Sequence, residues 1–108
     1  MDIRKLKNFT QSALRHLRQF GTREDFLIVL EIAVHQRDGA PMTLKQLTLW
    51  GEVPESTLKR RLSRLLKLGL IRKTAADGDR RIYLYQVSDK VLDQLSRFHQ
   101  ELKAFRWN

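Results

Sequence analysis

The elements predicted from the sequence are, in order, four helices, a two-stranded β hairpin and a fifth helix, which is a mostly helical α+β class. Apolar residues recur at helical spacing in each helical segment, and a run rich in β-forming residues follows Asp77-Gly78. The third and fourth helices are joined by a short turn with a glycine, which is typical of a helix-turn-helix. A hairpin directly behind it predicts a winged helix-turn-helix.

The 108 residues are predicted to form one domain, which is long enough for a modest core. A hydrophobic fraction of 42% and a charged fraction of 31% are those of a globular protein. We expect the helix-turn-helix at 43–69, the two-stranded β wing at 70–87, and flanking terminal helices at 3–20 and 88–106.

The first two helices differ in their apolar pattern. In the segment 3–20 the apolar residues follow a 3-4 spacing, which gives one apolar stripe. Gly21 ends this helix, and Thr22 can cap the next, at about 23–37. That second helix is apolar nearly all round, which predicts the central core helix.

Local capping and turn residues place the remaining elements. Thr43 is a suitable N-cap for the short third helix, and Glu55 or Ser56 begins the fourth. The two strands flank Asp77-Gly78, with Ile82, Leu84 and Gln86 on one face of the second strand. Ser88 caps a final helix whose apolar residues again recur every three or four positions.

The charge of the chain points to a polyanionic partner. The net charge is +9 and the pI is near 10.5, so nucleic acid is the first candidate and an anionic membrane surface the second. The basic surplus is concentrated in 1–23, with six bases and one acid, and in 54–81, with nine bases and three acids.

Several functional classes lack support in the sequence. The absence of cysteine excludes disulfides, thiolate catalysis and cysteine zinc sites. His16, His35 and His99 lack metal-ligand spacing, and we find no phosphate loop, Ser/His/Asp set or paired carboxylates in an apolar setting. We expect no enzyme activity, no cofactor and no metal. Apolar runs are too short for a membrane span and no signal peptide is evident, so we expect a cytoplasmic protein.

The fourth helix carries the strongest functional pattern. The segment 54–73 holds seven bases and one acid, while Leu58, Leu62, Leu65 and Leu66 fall on one side. A helix that is apolar on one side and basic on the other suits the major groove of DNA. The residues predicted to face that groove are Ser56, Thr57, Lys59, Arg60 and Arg64. Arg61 borders the apolar side, where pairing with an acid is the alternative.

Two segments match a known pattern in register. The segment 79–88 reads Asp-Arg-Arg-Ile-Tyr-Leu-Tyr-Gln-Val-Ser, and the reading helix runs Ser56-Thr-Leu-Lys-Arg60 through Leu65 to Gly69-Leu-Ile-Arg72. Over residues 43–92 the chain resembles the MarR family of bacterial winged-helix regulators. It departs from the family at Ser88 and Val91, where Thr and Gly are common. We also expect it to lack the helix that ends typical members of the family, beyond the helix at 88–106. Whether a small-molecule effector binds is left open.

The resemblance also implies roles for the wing and the terminal helices. It implies that Arg80 and Arg81 enter the minor groove or contact phosphates, and a salt bridge to Asp77 or Asp79 is the alternative. Arg72 and Lys73 are assigned to the same backbone or minor-groove contacts. The apolar stripes of the terminal helices predict a homodimer, with packing inside one subunit as the alternative. The residues predicted at the dimer interface are Leu6, Leu17, Phe20, Phe98, Leu102 and Phe105.

Three functions follow from these patterns. The first is sequence-specific binding of double-stranded DNA by a dimeric transcriptional regulator, a repressor acting at palindromic sites. The second is a basic architectural or replication-type module with little sequence preference, which the basic residues of the first helix favour. The third is a protein-interaction module, against which the arginines of the fourth helix argue.

Overall fold

The computed structural model describes residues 1–105, except the side chain of Arg80; residue 106, the predicted end of the last helix, and Trp107 lie outside this range. The five helices and the two strands of the hairpin follow the predicted order, and a further short strand precedes the third helix. They are α1 (Ile3–Arg18), α2 (Arg23–Arg37), β1 (Met42–Thr43), α3 (Leu44–Trp50), α4 (Glu55–Lys67), β2 (Ile71–Ala76), β3 (Asp79–Val87) and α5 (Asp89–Lys103).

The helix starts are set by the side chains that the sequence predicted. Thr22, Thr43 and Ser88 each accept a hydrogen bond from a backbone N–H in the first turn of the following helix. At Thr22 the bond is reciprocal, because Asp25 accepts from the Thr22 backbone N–H. Helix α4 differs, since it starts after Pro54 without a side-chain cap.

The sheet has one strand more than predicted. Its order is β1-β3-β2, and both pairs are antiparallel, with Met42 opposite Tyr85 and Ile71 opposite Val87. Strand β1 spans only two residues, so it has no alternation of its own and exists only through its pairing with β3.

The core face of β3 is the one opposite to the face that Ile82 and Leu84 share. Tyr85 and Val87 are buried, whereas Ile82 is exposed. Both alternating sets in this strand contain apolar residues, so the pattern could not identify the inner face. The neighbours decide it, because Val87 lies opposite buried Ile71 and Tyr85 opposite buried Met42.

Helix α2 is the centre of the core, as predicted. Ile28, Val29 and Ile32 are fully buried and belong to one cluster with residues of α3, α4 and the sheet. The terminal helices α1 and α5, called here the terminal helix pair, run in opposite directions, because Phe9 contacts Phe105 while His16 stacks on Phe98. The subunit is elongated, with extents of 54 × 26 × 23 Å. Within residues 1–105, no helix is both long and apolar enough to cross a bilayer.

Candidate nucleic-acid interface

Helix α4 has one buried and one exposed side. Leu58, Leu62 and Leu65 lie in the core and are at most 3% exposed. The residues on the other side, called here the reading face, are exposed: Ser56, Lys59, Arg60 and Ser63. At 100° per residue the two sets fall on opposite sides of the helix, so burial of the leucines turns the reading face to solvent.

A buried ion cluster ties α4 to the start of α2. The Asp25 carboxylate is 0% exposed. Arg61 donates to it through Nε, at 2.7 Å from Oδ1, and through Nη2 to Oδ2. Arg64 Nη1 lies 3.1 Å from the same Oδ2, and the backbone N–H of Thr22 donates to it at 2.8 Å. This arrangement is a bidentate arginine–carboxylate pair with two further donors.

The electrostatics of the cluster follow from this geometry. Burial alone would raise the pKa of Asp25, but hydrogen bonds from Arg61 and from Thr22 outweigh it and hold the pKa below its ordinary value. The hydrogen bonds that Arg61 donates to this carboxylate raise the pKa of Arg61. Both groups are therefore charged at neutral pH, and the pairing predicted as an alternative for Arg61 is present.

The predicted major-groove residues fall into two groups. Ser56, Lys59 and Arg60 are exposed and Thr57 is half-buried, all near the start of α4. Lys59 Nζ lies 3.2 Å from Glu55 Oε1 one turn earlier, but both side chains are more than half exposed, so this pair contributes little to stability.

Arg64 is placed differently from the prediction. Its guanidinium is turned towards Asp25 and the carbonyl oxygen of Phe20, at 3.4 Å, and its side chain is 41% exposed. Helical spacing puts position 64 beside Arg60, but the buried carboxylate attracts this arginine to the edge of the reading face. In this structure Arg64 is an anchor of α4.

The wing carries further basic side chains, and its strand β2 packs against α4. Arg72 is exposed and its Nε lies 3.4 Å from Gln86 Oε1, while Lys73 Nζ sits 4.8 Å from the centre of the Tyr83 ring. Arg81 is bonded to Asp79 through its backbone and, at 3.4 Å, through Nε, yet its side chain is 91% exposed. The salt bridge foreseen for the wing thus forms, and Arg81 stays accessible. The backbone of Arg80 lies in β3.

The predicted interface residues separate into core and surface positions. Phe20 is 1% exposed and packs on Phe26, so it offers no surface to a second subunit and the prediction for it is wrong. The reason is that α1 ends at Arg18, and the following turn carries Phe20 inwards. Leu17 and Phe98 are partly buried against the core, and Leu102 and Phe105 are half-buried on α5 and just after it. Leu6 is 47% exposed on α1.

Two polar features were absent from the sequence analysis. The role of Asp25 as the anchor of α4 was not predicted, because it depends on arginines that follow 36 and 39 positions later in the chain. His16 meets Glu101 across the terminal helix pair, and this contact lowers the pKa of Glu101. The capping box at Thr22 and the borderline position of Arg61 were the available signals for Asp25. In the part of the chain described, no cluster of three His, Asp or Glu side chains could hold a metal.

Comparisons with known proteins agree with this architecture. The transcriptional regulator Tm0710 from Thermotoga maritima has a TM-score of 0.72 and 23% identity, over 93% of this chain and 68% of its own. Wild-type MarR from E. coli has a TM-score of 0.65 and 20% identity, over 93% and 72% of the two chains. A MarR mutant from E. coli complexed with operator DNA has a TM-score of 0.61 and 22% identity, over 93% and 75%. No match was found among curated protein sequences.

A helix-turn-helix with a basic exposed face and an adjoining hairpin defines a class of nucleic-acid-binding folds. The family described as winged helix DNA-binding domain matches residues 6–90 of the chain. The protein belongs to this family, and the predicted resemblance to MarR is confirmed in its fold.

Proposed function

We propose that the protein is a dimeric transcriptional regulator of the cytoplasm that binds double-stranded DNA in a sequence-specific manner and acts as a repressor. The observation that carries this proposal is the exposed reading face of α4, held by a buried leucine face and placed beside a basic wing. The operator complex of the MarR mutant, whose fold is similar, supports it.

The proposed contacts follow the exposure of the described side chains, and for Arg80 they rest on the sequence alone. Ser56, Thr57, Lys59 and Arg60 enter the major groove, where Arg60 is the main base reader. Arg72, Lys73, Arg80 and Arg81 contact the backbone or the adjacent minor groove from the wing. Arg64 keeps its place at Asp25 and contributes to the positive field at the rim.

The proposed dimer uses the terminal helix pair. Ile3, Leu6 and Leu14 leave 65%, 47% and 41% of their surface exposed along α1, and Leu17, Phe98, Leu102 and Phe105 lie on the stripes that continue towards α5. Exposed apolar surface of this kind is typical of an association surface. Two-fold pairing would present two copies of α4 to the two halves of a palindrome.

A single experiment tests the central claim. Full-length protein is used to select duplexes from a random pool, and the enriched sequences are compared. We expect an enriched palindrome whose half-sites are one helical turn apart, about 34 Å. No enrichment, with binding retained, would instead favour the second function, a module with little sequence preference, which the exposed bases Arg4, Lys7, Arg15 and Arg18 on α1 favour.

A further inference from the structure

The cluster around Asp25 lies outside the reading face but fixes how that face is presented. A fully buried carboxylate is costly unless it is paired and hydrogen-bonded. Here the partners are Arg61 and Arg64 of α4 and the backbone of Thr22. Because turning α4 away would leave the buried charge without its arginines, the helix is held in one orientation.

The two arginines restrict the rotation of α4 about its own axis more sharply than the leucines do. Apolar contacts are non-directional, so Leu58, Leu62 and Leu65 select a side of α4 but not a sharp rotation about its axis. Bidentate arginine–carboxylate bonds are directional, and Arg61 and Arg64 are one turn apart on the helix. A rotation of about 15° would move an atom at the ~5–6 Å helix radius by roughly 1.5 Å, enough to break hydrogen bonds made by the reading face.

The turn between α1 and α2 is shaped around the same cluster. Gly21 has φ +114°, and a Cβ added there would clash with Asp25 Oδ2 and lie 2.8 Å from Arg64 Nη1. The preceding carbonyl, of Phe20, accepts from that same Arg64 nitrogen. Neither the backbone conformation nor the space admits a side chain at this position without displacing the ion pair.

We propose that Asp25 is a positioning residue for DNA reading: through Arg61 and Arg64 it sets the rotation of α4 about its axis and thereby the specificity of the protein. The inference rests on the proposed function, since it concerns how the reading face meets a duplex. It assigns Arg61 and Arg64 to orientation, and it leaves base contact to Ser56, Thr57, Lys59 and Arg60.

The test uses Asp25→Asn in the full chain, which keeps the shape and an oxygen acceptor for Thr22 but removes the charge. Glu24→Gln is the matched control, because it removes a charge from the same turn of α2 without cutting a bond to α4. Dissociation constants are measured for the selected operator and for a scrambled duplex, at a temperature where circular dichroism shows both variants folded.

We expect Asp25→Asn to lower the ratio of scrambled to operator dissociation constants about tenfold, as for one misread base pair, while scrambled binding stays nearly unchanged. Glu24→Gln should keep the wild-type ratio. Arg64→Gln, which spares the Asp25–Arg61 pair, should lower this ratio less. If Asp25→Asn does not fold, Arg64→Gln is measured in its place. Equal weakening on both duplexes would instead identify Arg64 as a phosphate contact.

The positioning role of Asp25 and the proposed DNA-binding function fail in different ways in this experiment. A wild-type ratio near one would overturn the proposed function, and with it the inference. A high wild-type ratio that Asp25→Asn retains, or that Arg64→Gln retains where the first variant is unfolded, would overturn the positioning role while the proposed function stands.

Discussion

Helix α2 and the terminal helix pair are built from similar apolar residues but are buried to very different extents. Helix α2 buries Asp25, Phe26, Ile28, Val29, Ile32 and Ala33, whereas α1 buries only Ser12 and His16 and α5 only Val91. The difference lies in what surrounds them. Helix α2 is enclosed by α4 and the sheet, whereas α1 packs against α5 and part of α2 and leaves apolar side chains exposed. Apolar periodicity therefore predicts a face to be covered, and not whether the cover belongs to the same chain.

The polar contacts of the two regions differ in the same direction. Around Asp25, the side chains of Arg61 and Arg64 and the backbone N–H of Thr22 all donate to one buried carboxylate. In the terminal helix pair, His16 contacts Glu101 through one ring nitrogen, and its buried Nδ1 has no hydrogen-bond partner among the described residues. The ion cluster around Asp25 therefore holds α4 in place. The terminal helix pair keeps a buried ring nitrogen to which no described residue bonds, as well as exposed apolar surface.

The largest expected effect is on the salt dependence of operator binding, and it distinguishes the basic residues of the wing from those of α1. If roughly six to ten phosphates are neutralised by a dimer, operator affinity should fall about 10³–10⁵-fold between 50 and 200 mM salt. The double variant Lys73→Gln/Arg81→Gln should reduce the salt slope by at least about one. Arg4→Gln/Lys7→Gln on α1 is its control, and fluorescence anisotropy gives both slopes. An equal reduction in the control would mean that α1 also lies on the nucleic acid.

A comparison of two leucines measures the difference in burial. Leu58, on the core-facing side of α4, is fully buried, so Leu58→Ala should lower the free energy of unfolding by about 2–5 kcal/mol. Leu6, on α1, is half-exposed in one subunit, and Leu6→Ala should change it by no more than about 0.5 kcal/mol in dilute monomer. Urea unfolding monitored by circular dichroism provides both values. Similar losses would show that Leu6 on α1 is as closely packed as the core-facing side of α4.

The assembly of the terminal helix pair is tested by Leu102→Glu. Burial of one leucine contributes about 1.5–3 kcal/mol, so replacing it by a charge should convert dimer to monomer at micromolar concentration and weaken operator binding. Leu49→Glu, at an exposed position of α3, is the matched control, and this variant should stay dimeric. Multi-angle light scattering with an operator titration of the same sample measures both properties. A monomeric wild type would show that these stripes pack within one subunit.

On the reading face, Arg60→Ala should cost about 1–3 kcal/mol of operator binding, the range for a base-reading arginine. The control is Arg97→Ala, which removes the same charge from an exposed position of α5 and should leave operator binding unchanged. Both proteins are titrated with operator and scrambled duplex. Equal losses on the two duplexes would reassign Arg60 to a phosphate, and the absence of any loss would exclude the docking of α4 in the groove.

The smallest effect is expected in acid. The pKa of Asp25 is below its ordinary value of 3.8, so its contribution to stability is complete above that value and is lost as pH falls through the folded pKa. Urea midpoints measured between about pH 5 and pH 2 should therefore fall more steeply for wild type than for Asp25→Asn. Parallel curves would show that the carboxylate does not retain its arginines in solution.

Much of the fold was accessible from the sequence because it depends on local chemistry. Thr22, Thr43 and Ser88 cap the helices that they precede, and Gly51 ends α3 in the left-handed conformation. The rest depends on residues distant in the chain. Strand β1 is defined only by its partner, and Phe20 continues a helical stripe although its helix has already ended. Arg64 could not be separated from Arg60 by spacing, because only the buried position of Asp25 distinguishes them.

The position of Gly21 against the ion cluster limits which sequence changes the protein can tolerate. Gly21, Asp25, Arg61 and Arg64 occupy one small volume, so a change at any one of them alters the space or the charge that the others require. We therefore expect these four positions to change together in related sequences, and the pattern Gly-Thr-x-x-Asp followed 36 residues later by Arg-x-x-Arg to mark chains that hold the fourth helix in this way.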